Sequence, residues 1–345
     1  MATGSTVAAG RRVVAPWSWA LAAAAVFLAW RGWRTLAPIS GGARHAVATE
    51  ALVLVGPAVL LLVVAALAAE RFWPAVPRPI TASGHRQDAA YLALYALVAV
   101  PTVTLLGTGF AATLLHWAPW LMVHPLSTAP RWVLIIAVLV VMDGCNWAAH
   151  LLNHRITAFW RYHALHHSQE EMSILTSFRA HPLVHTSFQI AALPLLILGT
   201  SGAIPLPVLI GYVLLSTLPH ANVSWDFGPL RTVVVSPAYH RLHHNVDDSR
   251  GVNLGTVLVL WDRLAGLAVF PERGAVPVST GLPGRPVPVE QATDAPGLLR
   301  MLRRQLTEPL WITPPAGGQM AVTVPAMAGM AEMAGMAGMA AMSSG

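Results

Sequence analysis

The sequence predicts an all-α integral membrane protein, with about four membrane-crossing helices, a re-entrant hairpin and clusters of histidines at helical spacing. Three observations predict it. Of 345 residues, 55% are hydrophobic and only 10% charged, against roughly 25% charged in an average soluble domain. Four apolar runs occur before residue 153, each close to the ~20 residues that cross hydrocarbon. Eleven of the fifteen histidines fall between residues 150 and 244, several at helical spacing.

The apolar runs are 13–30, 51–69, 89–115 and 132–152. The first follows Arg11 and Arg12, as a signal peptide would, but Arg31 and Arg34 come directly after it without a small-residue cleavage site, so it reads as a span. Trp17, Trp19, Trp30, Trp33, Trp73, Trp117, Trp120 and Trp132 lie near the run ends, where amphipathic rings sit at headgroup level. The stretch 186–218 is also apolar, but Pro194, Ser201, Gly202, Pro205 and Pro207 divide it into halves too short to cross. A hairpin that dips in and returns fits it better.

Past Leu152 the arginines 155, 161, 179, 231, 241, 250 and 263 accumulate outside the spans, whereas the 116–130 loop has none. By the positive-inside rule that face is cytoplasmic, although Arg31, Arg34 and Arg44 run against this topology. All twenty-one basic residues are arginine, which with the Ala, Gly, Val and Pro enrichment reads as the coding bias of a GC-rich bacterial genome. The expected location is therefore the bacterial cytoplasmic membrane. The charge of +6 is scattered singly, with no basic stripe for nucleic acid. Cys145 is the single cysteine, so there is no internal disulfide and no paired-cysteine zinc site. Any metal must take His, Asp or Asn.

Three regions follow: membrane helices over 1–130, a catalytic region over 131–273, and a Pro/Gly-rich tail over 274–345 that reads as disordered. The tail ends with Met327, Met330, Met333, Met336, Met339 and Met342, one every third residue. Such a ladder suits a soft ion such as Cu(I), but a low-complexity tail without function is the preferred reading.

His150 and His154 are four apart at the end of the last run and share a helical face. His163, His166 and His167 form HxxHH, and His240, His243 and His244 repeat it, each putting imidazoles at i, i+3 and i+4. Asp143 and Asn146 continue the stripe of His150 and His154 back into the span. A carboxylate in lipid has a functional partner by default, so Asp143 is expected to accept a ligand N–H and fix its tautomer, the alternative being that it pairs with an arginine or faces water. His45, His85, His116 and His124 read as ordinary single histidines. Eight clustered imidazoles repel on protonation and are costly to desolvate unless metal takes their lone pairs. One tetrahedral ion uses four, so the surplus predicts two metals.

These motifs resemble the fatty acid hydroxylase and sterol desaturase superfamily of membrane oxygenases. The likeness extends to NHR at 153–155, FWRYHALHHS at 159–168, RAHP at 179–182, HAN at 220–222 and LWDRLAG at 260–266. It implies two irons, with zinc able to substitute, held in a cytosolic cap by His150, His154, His163, His166, His167, His240, His243 and His244. His220 would be a ninth ligand, His181 a weaker candidate, and Asn222 the holder of a metal-bound water. Leu151 and Val184 stand where relatives often carry arginine and an acid, departures that bear on substrate contacts.

The resemblance further implies O2-dependent hydroxylation, or desaturation, of a fatty acyl chain, sterol or other isoprenoid. Because the chain has no flavin or nicotinamide fingerprint, an external donor is implied, a ferredoxin or a cytochrome with its reductase. Two other readings compete: a zinc-dependent membrane lipid hydrolase, which is disfavoured by the scarcity of carboxylates among the histidines, and a non-catalytic membrane metal-binding protein.

Overall fold

Helices α1 (Gly41–Val55) and α2 (Pro57–Phe72) are parted only by Gly56, where a Cβ would lie 2.0 Å from the Leu52 carbonyl oxygen. Glycine is therefore required there, and Pro57 starts α2 at the position that has no amide bond to lose. Helix α3 (Ser83–Leu94) widens into a π turn at Tyr95–Ala99 before continuing as α4 (Val100–Trp117). Pro101 explains the break, because it cannot donate to the carbonyl four residues back. Helix α5 runs uninterrupted over Arg131–Arg155.

The computed structural model describes residues 41–79, 81–121, 129–184, 204–246, 251–272, 278–282 and 294–311, and among these every regular element is helical. Three segments are long and apolar enough to cross a membrane: His45–Phe72, Ser83–Leu105 and Arg131–Arg155. They correspond to the expected runs 51–69, 89–115 and 132–152, while 13–30 lies outside the described residues. Large apolar side chains such as Leu61 (70% exposed) and Leu97 (75%) face outward along them, which suits lipid better than water. Phe72 and Trp73 flank one end of the bundle, and Trp117, Trp120 and Trp132 are exposed at the helix ends away from the cap.

The incoming arm of the expected hairpin, 186–203, is outside the described residues. The outgoing arm is α7 (Leu206–Thr217), continued by a 3-10 turn at Leu218–His220. Its 12 residues rise about 18 Å, short of the ~30 Å of hydrocarbon.

The ends of α2, α3, α5 and α7 meet in one layer. Glu70, near the end of α2, accepts hydrogen bonds from Ile174 N (2.8 Å) and Asn222 N (3.0 Å). Gly84 N, at the start of α3, donates to Glu171 (2.6 Å). Beneath this layer Val59, Val63, Ala66, Ile174, Phe178, Val213 and Val223 form an apolar core. Four further elements build the layer: α6 (Thr157–His167), a 3-10 turn at Ile174–Phe178 with a capping box between Ser173 and Thr176, α8 (Pro237–His243) and α9 (Leu260–Leu264).

Disorder from 274 onward is corrected for one segment. Helix α10 (Ala295–Trp311) buries Met301 and Gln305 completely, and Tyr91 OH donates to Gln305 Oε1 (2.8 Å). Leu298, Met301, Leu302 and Leu306 give it an apolar face of helical period that packs against Tyr91 and Leu165. The methionine triplets lie outside the described residues.

Candidate metal centre

Helix α5 delivers His150 and His154 to the cap, and the single extended residue Ile156 (φ −103°, ψ 115°) turns the chain into α6. That corner folds α6 back on α5, so His163 lies 4.9 Å, ring to ring, from both His150 and His154. Helix α8 is set by Ser236, whose hydroxyl caps Tyr239 N, and by Pro237 in the first turn. It presents His240 and His243 on one side, with His244 at its end. His220 arrives on the 3-10 turn after α7.

All nine histidines predicted as ligands are buried and come together in two groups. His150, His154, His163, His167 and His243 form one; His166, His220, His240 and His244 form the other. Within each group the candidate ligand nitrogens lie within 4.8 Å of one another. The groups touch: the His167 and His244 rings stack at 4.4 Å.

Backbone carbonyls orient three of the rings. His150 Nδ1 lies 2.9 Å from Leu254 O, His243 Nδ1 2.8 Å from Val252 O, and His166 Nδ1 3.3 Å from Arg179 O. A carbonyl can only accept, so each Nδ1 carries the hydrogen and each Nε2 keeps its lone pair for the interior. In the second group His166 Nε2 and His240 Nε2 each lie 3.1 Å from His220 Nε2.

The donor set fits metal. His150 Nε2, His243 Nε2 and both nitrogens of His154 and His244 are buried without a hydrogen-bond partner among the described residues. Each such atom costs about 1–3 kcal/mol if left alone, and a cation removes the cost by taking the lone pair. Burial, reinforced by neighbouring imidazoles, holds His163, His166, His167, His240, His243 and His244 well below the ordinary imidazole pKa. The rings are therefore neutral at pH 7, the form that binds metal.

The turn 251–255 supplies two of the orienting carbonyls. Gly251 (φ 73°) and Asn253 (φ 57°) are left-handed, and a Cβ on Gly251 would lie 3.4 Å from that of His154. Asp262, fully buried, holds the turn by accepting from Leu254 N (2.9 Å), Gly255 N (2.8 Å), Trp147 Nε1 (2.9 Å) and Tyr239 OH (2.9 Å). Asp143 acts at the same remove. It accepts from Val257 N, Leu258 N, Trp261 Nε1 and Tyr212 OH at 3.0–3.1 Å, with no histidine among its partners. The expected direct bond to a ligand N–H is replaced by support of the loop that carries Leu254.

The remaining predicted residues sit beside the groups. Asn222 uses its amide on Val76 N (3.1 Å), Val76 O (2.7 Å) and Arg241 Nη2 (2.7 Å), pinning the 73–82 loop. His181 lies outside both groups, with Nε2 on Leu306 O (2.9 Å) and Nδ1 accepting Leu183 N (3.1 Å). Sequence reasoning passed over Asp262, Glu70 and the fully buried Arg179–Asp88 pair (3.1 Å), which ties α3 to the carbonyl that orients His166. Glu70 and Asp88 stand immediately beside apolar runs, whereas Asp143 stands inside one.

All nine histidines of the two groups fall within the stretch that comparison with known proteins matches. Residues 134–267 match the fatty acid hydroxylase family. The chain is 35% identical over 179 residues to ornithine lipid hydroxylase OlsE of Rhizobium tropici, covering 49% of this chain and 53% of that protein. It is 30% identical over 142 residues to the alkylglycerol monooxygenase of Homo sapiens, 39% of this chain and 30% of that one. With fatty acid hydroxylase vlmA of Lecanicillium sp the identity is 28% over 170 residues, 44% and 43% of the two chains. The chain thus spans about half the length, or less, of the curated relatives it matches. No solved structure matches it. Residues 134–267 thus match a fatty acid hydroxylase domain, and the relatives are consistent with the fatty acid hydroxylase/sterol desaturase superfamily.

Proposed function

We propose that this protein is a di-iron oxygenase that uses O2 to hydroxylate, or desaturate, the hydrocarbon of a membrane lipid. The observation that carries the reading is the pair of adjoining imidazole groups, five and four, converging where a membrane-length helix ends. His150, His154, His163, His167 and His243 would hold one iron, and His166, His220, His240 and His244 the other. When bound, such a pair activates O2 against unactivated C–H bonds. The catalytic region is 131–273, and its metal face is cytoplasmic by the arginine distribution.

The chain's own residues do the positioning. The carbonyls of Val252, Leu254 and Arg179 fix three imidazoles in the tautomer that presents Nε2 inward. The buried cap keeps bulk water from the reacting carbon. Helix α5 is apolar from Trp132 to Met142, so a hydrocarbon lying along that stretch would be guided toward the end that carries His150. The relatives are named for ornithine lipid, alkylglycerol and fatty acid. A fatty acyl or alkyl chain joined to a polar end is the favoured substrate class, with sterols and other isoprenoids next. Electrons come from a separate carrier.

The test is metal and lipid analysis of the full chain. Two irons per chain, with isotopically labelled O2 incorporated into a host lipid only when the gene is present, is the expected result. Zinc with ester cleavage in the absence of O2 would assign a hydrolase instead. Bound metal with no lipid conversion in the presence of reductant would assign a metal carrier.

A further inference from the structure

The cap meets α5 well below the end of that helix. The carboxylate of Asp143 accepts from Val257 N (3.0 Å), Leu258 N (3.1 Å), Trp261 Nε1 (3.1 Å) and, from α7, Tyr212 OH (3.0 Å). Beside it Gly144 leaves room for the Trp261 ring, since a Cβ there would lie 2.7 Å from Cζ2. One turn further on, Trp147 Nε1 donates to Asp262 (2.9 Å). The segment 251–258 therefore runs back along α5, from Gly251 beside His154, past Leu254 at His150, to Leu258 at Asp143. The α9 turn that follows carries Leu260 and Leu264, 42% and 72% exposed. The bonds from Val259 N to Val233 O (2.9 Å) and from Arg263 Nη1 to Thr232 O (3.4 Å) bring up Leu230 and Val233, 58% and 52% exposed.

We propose that this tip of the cap, 228–233 with α9, is a wedge immersed in the bilayer on the side of the imidazole groups, with lipid acyl chains lying against Leu230, Val233, Leu260 and Leu264. The inference is independent of the oxygenase reading, since it needs neither metal nor reaction.

Depth decides the occupant. With Trp132 at headgroup level, ~30 Å of hydrocarbon at ~1.5 Å per residue extends along α5 to about residue 152. Asp143 and Gly144 then lie near its middle. A turn packed against them is at hydrocarbon depth, level with Tyr212 midway along the apolar α7. Large apolar side chains exposed at that level face acyl chains rather than water. The arginines of the tip are held by the protein itself. Arg263 donates to Thr232 O, and Arg231 donates to Pro271 O with its guanidinium 5.7 Å from the Phe270 ring centroid and 3.7 Å from Asp226. Their apolar stems can lie along hydrocarbon while these partners take the charge.

The experiment uses the full chain in vesicles of phosphatidylglycerol and phosphatidylcholine. In a Cys145→Ser background, Leu230→Cys and Leu264→Cys each carry a nitroxide spin label, with Leu61→Cys, 70% exposed on α2, as the lipid-facing reference. Power saturation measures collision with O2, which concentrates in hydrocarbon, and with a neutral nickel chelate, which stays in water. At both tip positions the ratio of O2 to nickel collision should approach that at Leu61 and exceed that of the free label in buffer several-fold. The wild-type chain gives a second reading without substitution. On photolysis a lipid-soluble diazirine should label 228–233 and 260–264, and a water-soluble one should leave them unlabelled.

Nickel collision at 230 and 264 as frequent as for the free label, or labelling of the wild-type tip by the water-soluble diazirine, puts this face in water and overturns the wedge. Weak collision with both reagents puts protein against the face, a second copy of this chain, and also overturns it. Neither measurement involves metal, so failure of the oxygenase reading would leave both results unchanged.

Discussion

Asp262→Asn removes one acceptor oxygen from a carboxylate that has four donors and no exposure to solvent. If the new amide nitrogen takes the Oδ2 place, Tyr239 OH can rotate and accept from it, but Gly255 N then faces an N–H. If it takes the Oδ1 place, Leu254 N and Trp147 Nε1 both face one. Bonds to a charged acceptor are worth about 1.5–3 kcal/mol each, and a stranded buried amide adds about 1–3 kcal/mol. The milder orientation thus costs about 3–5 kcal/mol, a melting temperature lower by at least about 5 °C for a chain of this size. The damage should also reach the metal. Leu254 carries both the amide bound to Asp262 and the carbonyl that orients His150, so the variant should lose about 10–100-fold in affinity for the ion of the five-histidine group. Thermal unfolding in detergent and titration with Zn2+ or Fe2+ measure the two effects. A variant that melts lower but binds both ions as wild type would refute the link from Asp262 through Leu254 to His150.

Three further outcomes are expected. His163→Ala and His243→Ala should abolish lipid oxidation while the protein stays in the membrane, and His240→Ala should lower the metal content by one ion; full activity in any of them would refute the ligand assignment. Stability of the metal-free chain should depend on acid. Burial holds the six cap imidazoles below their unfolded value of about 6.5, so the unfolded chain binds more protons below that pH. Stability is then full above about pH 6.5 and falls as pH drops, by about 1.4 kcal/mol per pH unit for each histidine involved; a flat unfolding profile between pH 7.5 and 5 would contradict it. Arg179→Met alone should destabilise by about 3–5 kcal/mol because Asp88 is left charged in the interior, and Asp88→Leu in the same chain should restore much of the loss, as read by chemical denaturation of the two variants.

The histidine triads were readable because i, i+3, i+4 spacing is a local property, and any helix through 163–167 or 240–244 puts those rings together. His220 has no such local partner, and only its HAN motif pointed to it. The parts that spacing could not reveal are those that depend on distant backbone. Nothing in GVNLG at 251–255 says which rings its carbonyls meet, although Gly and Asn do mark left-handed positions. Glu70 and Asp88 were hidden by ending each apolar run at its first charge, which turned two functional carboxylates into boundary markers. Helix α10 was missed because Pro, Gly and Met dominate the composition of the tail, while 298–306 on its own keeps a helical period of leucine and methionine.

The arrangement of charge around the imidazoles follows from their neutrality. On the proposed reading two divalent ions bring four positive charges into a buried site whose ligands carry none. Among the described residues the buried acids are Glu70, Asp88, Asp143 and Asp262, and the buried arginines are Arg179 and Arg241, a net of two negative charges. None of the four acids belongs to either imidazole group. They accept instead from the amides of 174, 222, 254, 255, 257 and 258 and from the Arg179 guanidinium. From there they would offset part of the charge of any metal bound, while leaving the ligand nitrogens uncharged.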